Sequence, residues 1–339
     1  KLVYTLNYSS MYIYRNIPFE VIWRFGWKNI FFFLFYSTVL SLLHYYLFRE
    51  QQIQMHIPFA LIGPIGVAVA IYSSFKNGQS YDRTWEARKN WGGLIVASKI
   101  LGNQANTLLK NTSDAEIKMI VDRQLAFLHA HKLQLRMRSA HSRKYSIATK
   151  KYYFGESTPQ QWLDDVAPRL VTEEYRQIQT LSNKALQILF LQSAHLKMLC
   201  AKNQLDEFRL MDMLKTIDTC IENLGKNERI KSTPFPRQYG YFSKSFIIIF
   251  ILILPFGILD IYKHYSLFNY VVVSLLSTLI SWLYITIELV GDYSEDPFES
   301  FITDIPMSAL CKSAEIDLYE MLRLENIPSK LQAKDGILM

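Results

Sequence analysis

Cysteine is scarce: the 339 residues hold three, Cys200, Cys220 and Cys311, with no C-x-x-C spacing. They are read as small core residues rather than metal or redox groups. Catalytic signatures are missing too. There is no G-x-S-x-G, no H-E-x-x-H, no Walker A loop and no G-x-G-x-x-G, so nothing nominates an enzyme or a cofactor. His129 and His131 stand two apart, about 200° around a helix, and cannot share a metal there. His141 follows in a basic stretch, and all three are expected to be solvated or interfacial. Strand alternation, internal repeats and low-complexity tracts are absent. The formal charge of +7 comes without zinc-finger spacing or an RNP motif, so a nucleic-acid partner is not expected. The opening KLVYTLNYSS has neither an h-region nor an A-x-A site, and no cleavable signal is expected from it.

What the chain does have is strong segregation of charge. Four windows are free or nearly free of it: Asn29–Phe48, Ile57–Phe75, Ser245–Leu259 and Leu267–Ile287. At about 1.5 Å per residue they give helices roughly 22 to 32 Å long, and a bilayer core needs about 20 apolar residues, with about 17 sufficing. The third window is short, but TPFPRQYGYF ahead of it can lengthen the helix. FFFLFYSTVLSLLHYYLF is apolar all round, unlike a helix of a soluble all-α protein, which would show one polar face. Trp23, Trp27, Tyr45, Tyr46, Tyr262, Tyr265 and Tyr284 gather near the window ends, where amphipathic rings favour the membrane interface. Four membrane helices are therefore expected.

Between Lys76 and Phe235 there are 25 Lys or Arg against 16 Asp or Glu, whereas the 49–56 and 260–266 connections hold one charge of each sign. The positive-inside rule places the middle region, and with four spans both termini, in the cytoplasm. The middle region reads as helical over Asp82–Leu109, Asp114–Arg138, Glu173–Lys202 and Asp206–Leu224, with breaks at NTSDAE, GESTPQQWLDD and KSTPFP. The expected organisation is thus an N-terminal segment 1–28, membrane helices 29–48, 57–75, 236–259 and 267–290, a helical cytosolic region 76–235 and a cytosolic segment 291–339.

The second window carries the most geometry. Val67, Ile71 and Phe75 are four apart, so successive members drift only about 40° and form one apolar stripe. Gly63, Gly66, Ala68 and Ala70 permit close packing elsewhere on the helix, and Pro64 removes the usual donor to the Ala60 carbonyl. Copies of this helix around an axis would stack the stripe into three apolar rings able to gate by dewetting. Apolar residues four apart are also unavoidable in any membrane helix. Beyond Phe75, the stretch KNGQSYDRTWEARKNWGG spaces Tyr81 from Trp85 and Asp82 from Glu86 by one helical turn, with Arg83, Arg88 and Lys89 as countercharge.

The run FKNGQSYDRTWEARKNWGG resembles the signature F-R-N-x-x-S-Y-D-R-x-W-E-A-R-K-x-W-G of the bacterial branch of the bestrophin family, with Lys76 in place of the usual Arg. STPFPRQY with LPFGILD, and EDPFESFITDIPMSALCKSAEIDLYEML, are similar to two further family blocks, so the likeness spans nearly the whole chain. The resemblance implies an all-α homopentamer in the bilayer, four membrane helices per subunit around a central pore. It implies a neck lined by Val67, Ile71 and Phe75 and a second constriction at or near Phe208. Isolated ion pairs at the spacing seen beyond Phe75 are worth only about 0.3 to 0.5 kcal/mol, so Tyr81, Asp82, Arg83, Trp85, Glu86, Arg88 and Trp91 are expected to act instead as a collar, packed between subunits, that fixes the angle and register of the pore helix. The resemblance further implies conduction of small monovalent ions, Na⁺ and K⁺ as in bacterial members, in a bacterial inner membrane. A chloride channel of the same fold and a non-conducting membrane scaffold are the alternatives. The family's eukaryotic calcium clasp is a dense acidic run. Here Asp292, Glu295, Asp296, Glu299 and Asp304 are spread out, so no metal is expected and a solvated connection is the preferred reading.

Overall fold

The computed structural model describes residues 11–12, 19–51, 57–138, 157–262, 266–301, 304–332 and 337–338, with side chains from residue 26 onwards except 48–51 and 337–338. His141, Lys263 and Tyr265 and the side chains of Trp23, Arg49 and Glu50 lie outside this description. Ten α-helices make up the described fold: α1 Phe19–Gln51, α2 Phe59–Leu108, α3 Asp114–Leu135, α4 Pro159–Asp165, α5 Thr172–Gln179, α6 Lys184–Ala201, α7 Glu207–Ser232, α8 Arg237–Ile261, α9 Leu267–Ser294 and α10 Met307–Met321. The only strand pairing among the described residues is a two-residue antiparallel ladder, β1 Met11–Tyr12 with β2 Ile337–Leu338. The chain forms two compact units. One comprises the described residues of Tyr14–Asp82 and Phe235–Glu295, the other those of Lys1–Ile13, Arg83–Pro234 and Asp296–Met339.

The first unit is an apolar bundle. Gly26–Leu47 of α1, and helices α2, α8 and α9, are each long and apolar enough to cross a membrane. Phe33, Leu40, Ile62, Ile247, Phe250 and Leu254 pack inside, while Phe31, Phe35, Ile249, Phe268 and Leu275 point outward, the distribution expected where the surrounding solvent is hydrocarbon. α2 continues unbroken through Pro64. Close approach of α2 and α8 rests on two glycines: a Cβ on Gly66 would lie 2.8 Å from the Phe250 ring, and one on Gly257 would lie 2.6 Å from Ile62. The α1–α9 seam is polar, which the sequence did not announce. Ser37 donates to the carbonyls of Phe33 and Ser274 (2.8 and 3.1 Å), Ser274 donates to Ser41 (3.2 Å), and His44 pairs with the Tyr270 hydroxyl (2.9 Å). Small hydroxyl residues joining helices in this way supply the association that apolar contact with lipid cannot.

The second unit wraps α3. Its N-terminus is capped by the Ser113 side chain accepting from the Glu116 N–H, and Thr158 and Gln161 form a reciprocal capping box on α4. Every residue from Arg123 to Leu133 is buried, among them His129 and His131, contrary to the solvated setting expected for them. The cause is that neighbouring helices surround α3, so positions 200° apart are enclosed alike. His131 lies parallel to Trp91 (10°, centroids 5.3 Å) and Phe127 (13°, 6.2 Å), and burial lowers its pKa to about 3. His129 is held neutral as well, at about 4, burial outweighing the nearby Asp165. The other buried polar groups on α3 are partnered: Arg123 with Glu174 (2.6 Å) and Gln192 (2.8 Å), Lys132 with Asp165 (2.6 Å), and Gln124 with Ser98 (2.9 Å). Burial raises the Cys220 thiol to about 12 and Cys311 to about 11, so neither is a thiolate at neutral pH.

Candidate pore-lining face and the charges behind it

α2 has two unlike faces within the apolar bundle. On one, Ile62, Val69, Ser73, Lys76 and Ser80 are buried; on the other, Val67, Ile71 and Phe75 are 60, 53 and 72% exposed. The three expected neck residues thus share a face that the bundle's own core does not use. The opposite face is pinned by a charge network. Lys76 Nζ, fully buried, donates to Glu288 Oε1 (2.6 Å) and Asp292 Oδ1 (2.5 Å) on α9. Ser243 on α8 donates to the second Glu288 oxygen (2.6 Å) and contacts the Ser73 hydroxyl (3.3 Å). Asn77 donates to the Ile287 carbonyl (2.9 Å), and its carboxamide occupies the space a Cβ at Gly291 would need. Two consecutive residues, Lys76 and Asn77, therefore fix the roll of α2 directly behind Phe75. Burying an ion pair gives little net stability, but leaving one partner alone costs about 3 to 5 kcal/mol. The network is better at specifying one rotation than at adding stability.

The expected collar residues divide into two sets. In the second unit, Trp91 is buried against His131, Arg83 donates to the backbone carbonyls of Ile230 (2.5 Å) and Thr233, and Glu86 accepts from Arg229 (2.7 Å). Arg88 is half-buried there. Arg83 and Glu86 hold α2 to α7 and its C-terminal end, and Trp91 holds it to α3. Tyr81, in the first unit, and Trp85, in the second, are 60 and 51% exposed, and Asp82 is exposed. Phe208, in the first turn of α7, is 87% exposed with Met211 nearby at 56%.

The acidic residues considered for calcium are not gathered into a ligand set, and no group of three or more His, Cys, Asp or Glu able to hold a metal occurs among the described residues. In the first unit Asp292 is taken by Lys76 and Glu295 by Arg237 (3.0 Å). In the second, Glu299 pairs with Lys231 (2.5 Å) and Asp296 is half-buried. Asp304 accepts the backbone N–H groups of Phe298, Ser300 and Ile305 at 2.7 to 2.8 Å. Those three bonds favour the charged carboxylate, yet burial is the larger influence and raises its pKa. Phe298 (φ 73°) and Ser300 (φ 62°) sit in the left-handed region, and the Asp304 carboxylate holds the turn in that conformation. The segment is a buried, partnered turn rather than a solvated connection. Sequence spacing could not show this, because the cations concerned are as many as 216 positions away.

The bacterial/fungal bestrophin family matches residues 20–320. The voltage-dependent anion channel-forming protein YneE of Escherichia coli is 28% identical over 299 residues, 88% of this chain and 87% of that protein. Its Salmonella typhi counterpart, with the same name, is 29% identical over 277 residues, 80% of this chain and 79% of that protein. A bestrophin homologue from Klebsiella pneumoniae superposes with a TM-score of 0.73 at 24% identity, covering 88% of this chain and 99% of that one. With a family match over almost the full length and the same fold, the chain belongs to the bacterial/fungal bestrophin family.

Proposed function

We propose that the chain is the subunit of a homopentameric channel in a bacterial inner membrane, its termini cytoplasmic, passing small monovalent ions along a central axis. Val67, Ile71 and Phe75 form the neck as three stacked apolar rings. The observation that carries this reading is the open stripe itself: three large apolar side chains, 53 to 72% exposed, on a helix whose other face is locked by Lys76 and Asn77. α1, α8 and α9 also expose apolar residues, as lipid-facing helices do. On α2, however, the same face runs on into polar residues, Gln79 and Asp82, a sequence suited to a narrow dry neck opening into water. Apolar rings of this kind gate by dewetting. Tyr81 and Trp85 supply contacts between subunits, and Phe208 narrows the path a second time.

Na⁺ and K⁺ are the favoured permeant ions, following the bacterial-branch signature. A second reading, anion conduction, has its own support: the curated relatives are named anion channel-forming proteins, and the positive edge of the Phe75 ring suits anions.

Purified protein in liposomes is expected to pass Na⁺ or K⁺, and the triple replacement V67A/I71A/F75A to raise the flux several-fold by widening and wetting the neck. Absence of flux from both forms refutes the channel. The reversal potential in asymmetric NaCl separates the cation from the anion reading in the same preparation.

A further inference from the structure

The open face of α2 does not end at Phe75. At about 100° per residue, Val67, Ile71 and Phe75 lie at about 0°, 40° and 80° around the helix. Asp82, fifteen positions after Val67, returns to about 60°. It falls inside the arc of the stripe, two turns beyond the last apolar residue and within the same unit. The buried residues Val69, Ser73, Lys76 and Ser80 cluster on the opposite side, near 200° by the same arithmetic. Register and exposure therefore agree independently.

Asp82 is the first ionisable side chain on that face. Lys76, nearer to Phe75, points into the bundle, where two carboxylates meet one ammonium. Arg83 has its guanidinium on the carbonyls of Ile230 and Thr233, and Glu86, one turn further, is engaged by Arg229. Asp82 is exposed.

We infer that Asp82 sets charge selectivity: in the assembled channel its carboxylate faces the conduction path just beyond the neck and concentrates cations there. This rests on the channel reading above. It moves Asp82 out of the collar, where the sequence pattern had grouped it, and gives the cation preference a physical source that the apolar neck cannot supply. Symmetry-related copies would place several negative charges around one axis. A ring of that kind raises the local cation concentration and lowers that of anions, an effect screened by salt over about 10 Å at 0.1 M.

The test is bilayer recording of the full-length protein in asymmetric NaCl. Wild type should reverse towards the Na⁺ equilibrium potential. Asp82→Asn should lower the Na⁺-to-Cl⁻ permeability ratio several-fold, Asp82→Lys should move reversal towards Cl⁻, and Asp82→Glu should keep the wild-type value. The Asp82→Asn shift should shrink as total salt is raised. To separate selectivity from assembly, Asp82→Cys in a Cys200→Ala background is reconstituted and then treated with a negatively or a positively charged thiosulfonate, so that one folded channel is read in both charge states. The negative reagent should restore cation preference and the positive one reverse it. No current from wild type would refute the channel reading. Current from wild type with a reversal potential indifferent to the charge at position 82, or a wild type that itself prefers Cl⁻, would overturn the role given to Asp82 alone.

Discussion

The two units of this chain bury charge in opposite styles. In the apolar bundle, buried ionisable side chains are few and gather mainly in one knot, Lys76 with Glu288 and Asp292, the others being His44 and Glu295, the latter paired with Arg237, and its outward surface is aromatic and aliphatic. In the second unit polar groups are enclosed all along α3, each by a partner from a different helix: Arg123 by Glu174, Gln124 by Ser98, Lys132 by Asp165. The comparison teaches what each arrangement is for. A single knot fixes one helix rotation, and its loss should be felt abruptly; a distributed network fixes the registry of several helices, and each member should matter less.

The largest effect is therefore expected at Lys76. Lys76→Ala takes the ammonium away from the buried Glu288 and the half-buried Asp292, a loss of about 3 to 5 kcal/mol, visible as a large fall in the thermal midpoint in detergent and in the monodisperse fraction. Lys76→Arg, which the family signature tolerates, should recover most of it. If Lys76→Ala melts like wild type, the knot does not fix the rotation of α2.

Acid should act on the second unit through its enclosed histidines. His129 and His131 are held neutral, at about 4 and about 3, against about 6.5 in an unfolded chain. Because the folded values are depressed, the unfolded state binds the extra protons, and stability is lost as pH falls below about 6.5. The loss grows by about 1.4 kcal/mol per histidine per pH unit until each folded value is reached. Asp165, whose pKa is lowered by His129 and Lys132 against the effect of burial, contributes in a separate window, below about 4. Melting at pH 5.5 against pH 7 should show the histidine share. His131→Phe, which keeps the stack on Trp91, should remove a clear share of that pH dependence, His129 and His195 carrying the rest, and an unchanged slope would mean that His131 is not enclosed as described.

How much of this was legible beforehand follows from the same contrast. The apolar windows, the breaks at Ser113 and Thr158, and the stripe on α2 are written in local spacing, and each depends on residues a few positions apart. The knot is not: Lys76 and Asp292 are 216 positions apart, and an acid in a mixed run looks like any solvated acid until its partner is placed. The α1–α9 seam escaped because serine and threonine in an apolar window do not change its average character. The histidines of α3 escaped for a third reason: periodicity describes one buried face, and α3 is buried on all of them. At the site, the apolar stripe of α2 and the Asp82 register are both arithmetic on one helix. Which face of that helix stays open is decided by α8 and α9, and only the fold supplies it.

The smallest effect is expected at the surface of the second unit. Glu86 and Arg229 pair at 2.7 Å, but their side chains are 42 and 65% exposed, and exposed pairs contribute about 0 to 1 kcal/mol. Glu86→Gln should lower the thermal midpoint slightly at low salt and not at all near 1 M, where the Debye length is about 3 Å. A salt-independent loss of several degrees would place Glu86 in a desolvated contact, as between neighbouring subunits. That outcome would return it to the knot's class of behaviour, because only an environment that excludes water makes one charge pair decisive. The difference between Lys76 and Glu86, two acid–base pairs on one helix ten residues apart, is then a difference of solvent, and the salt titration measures it directly.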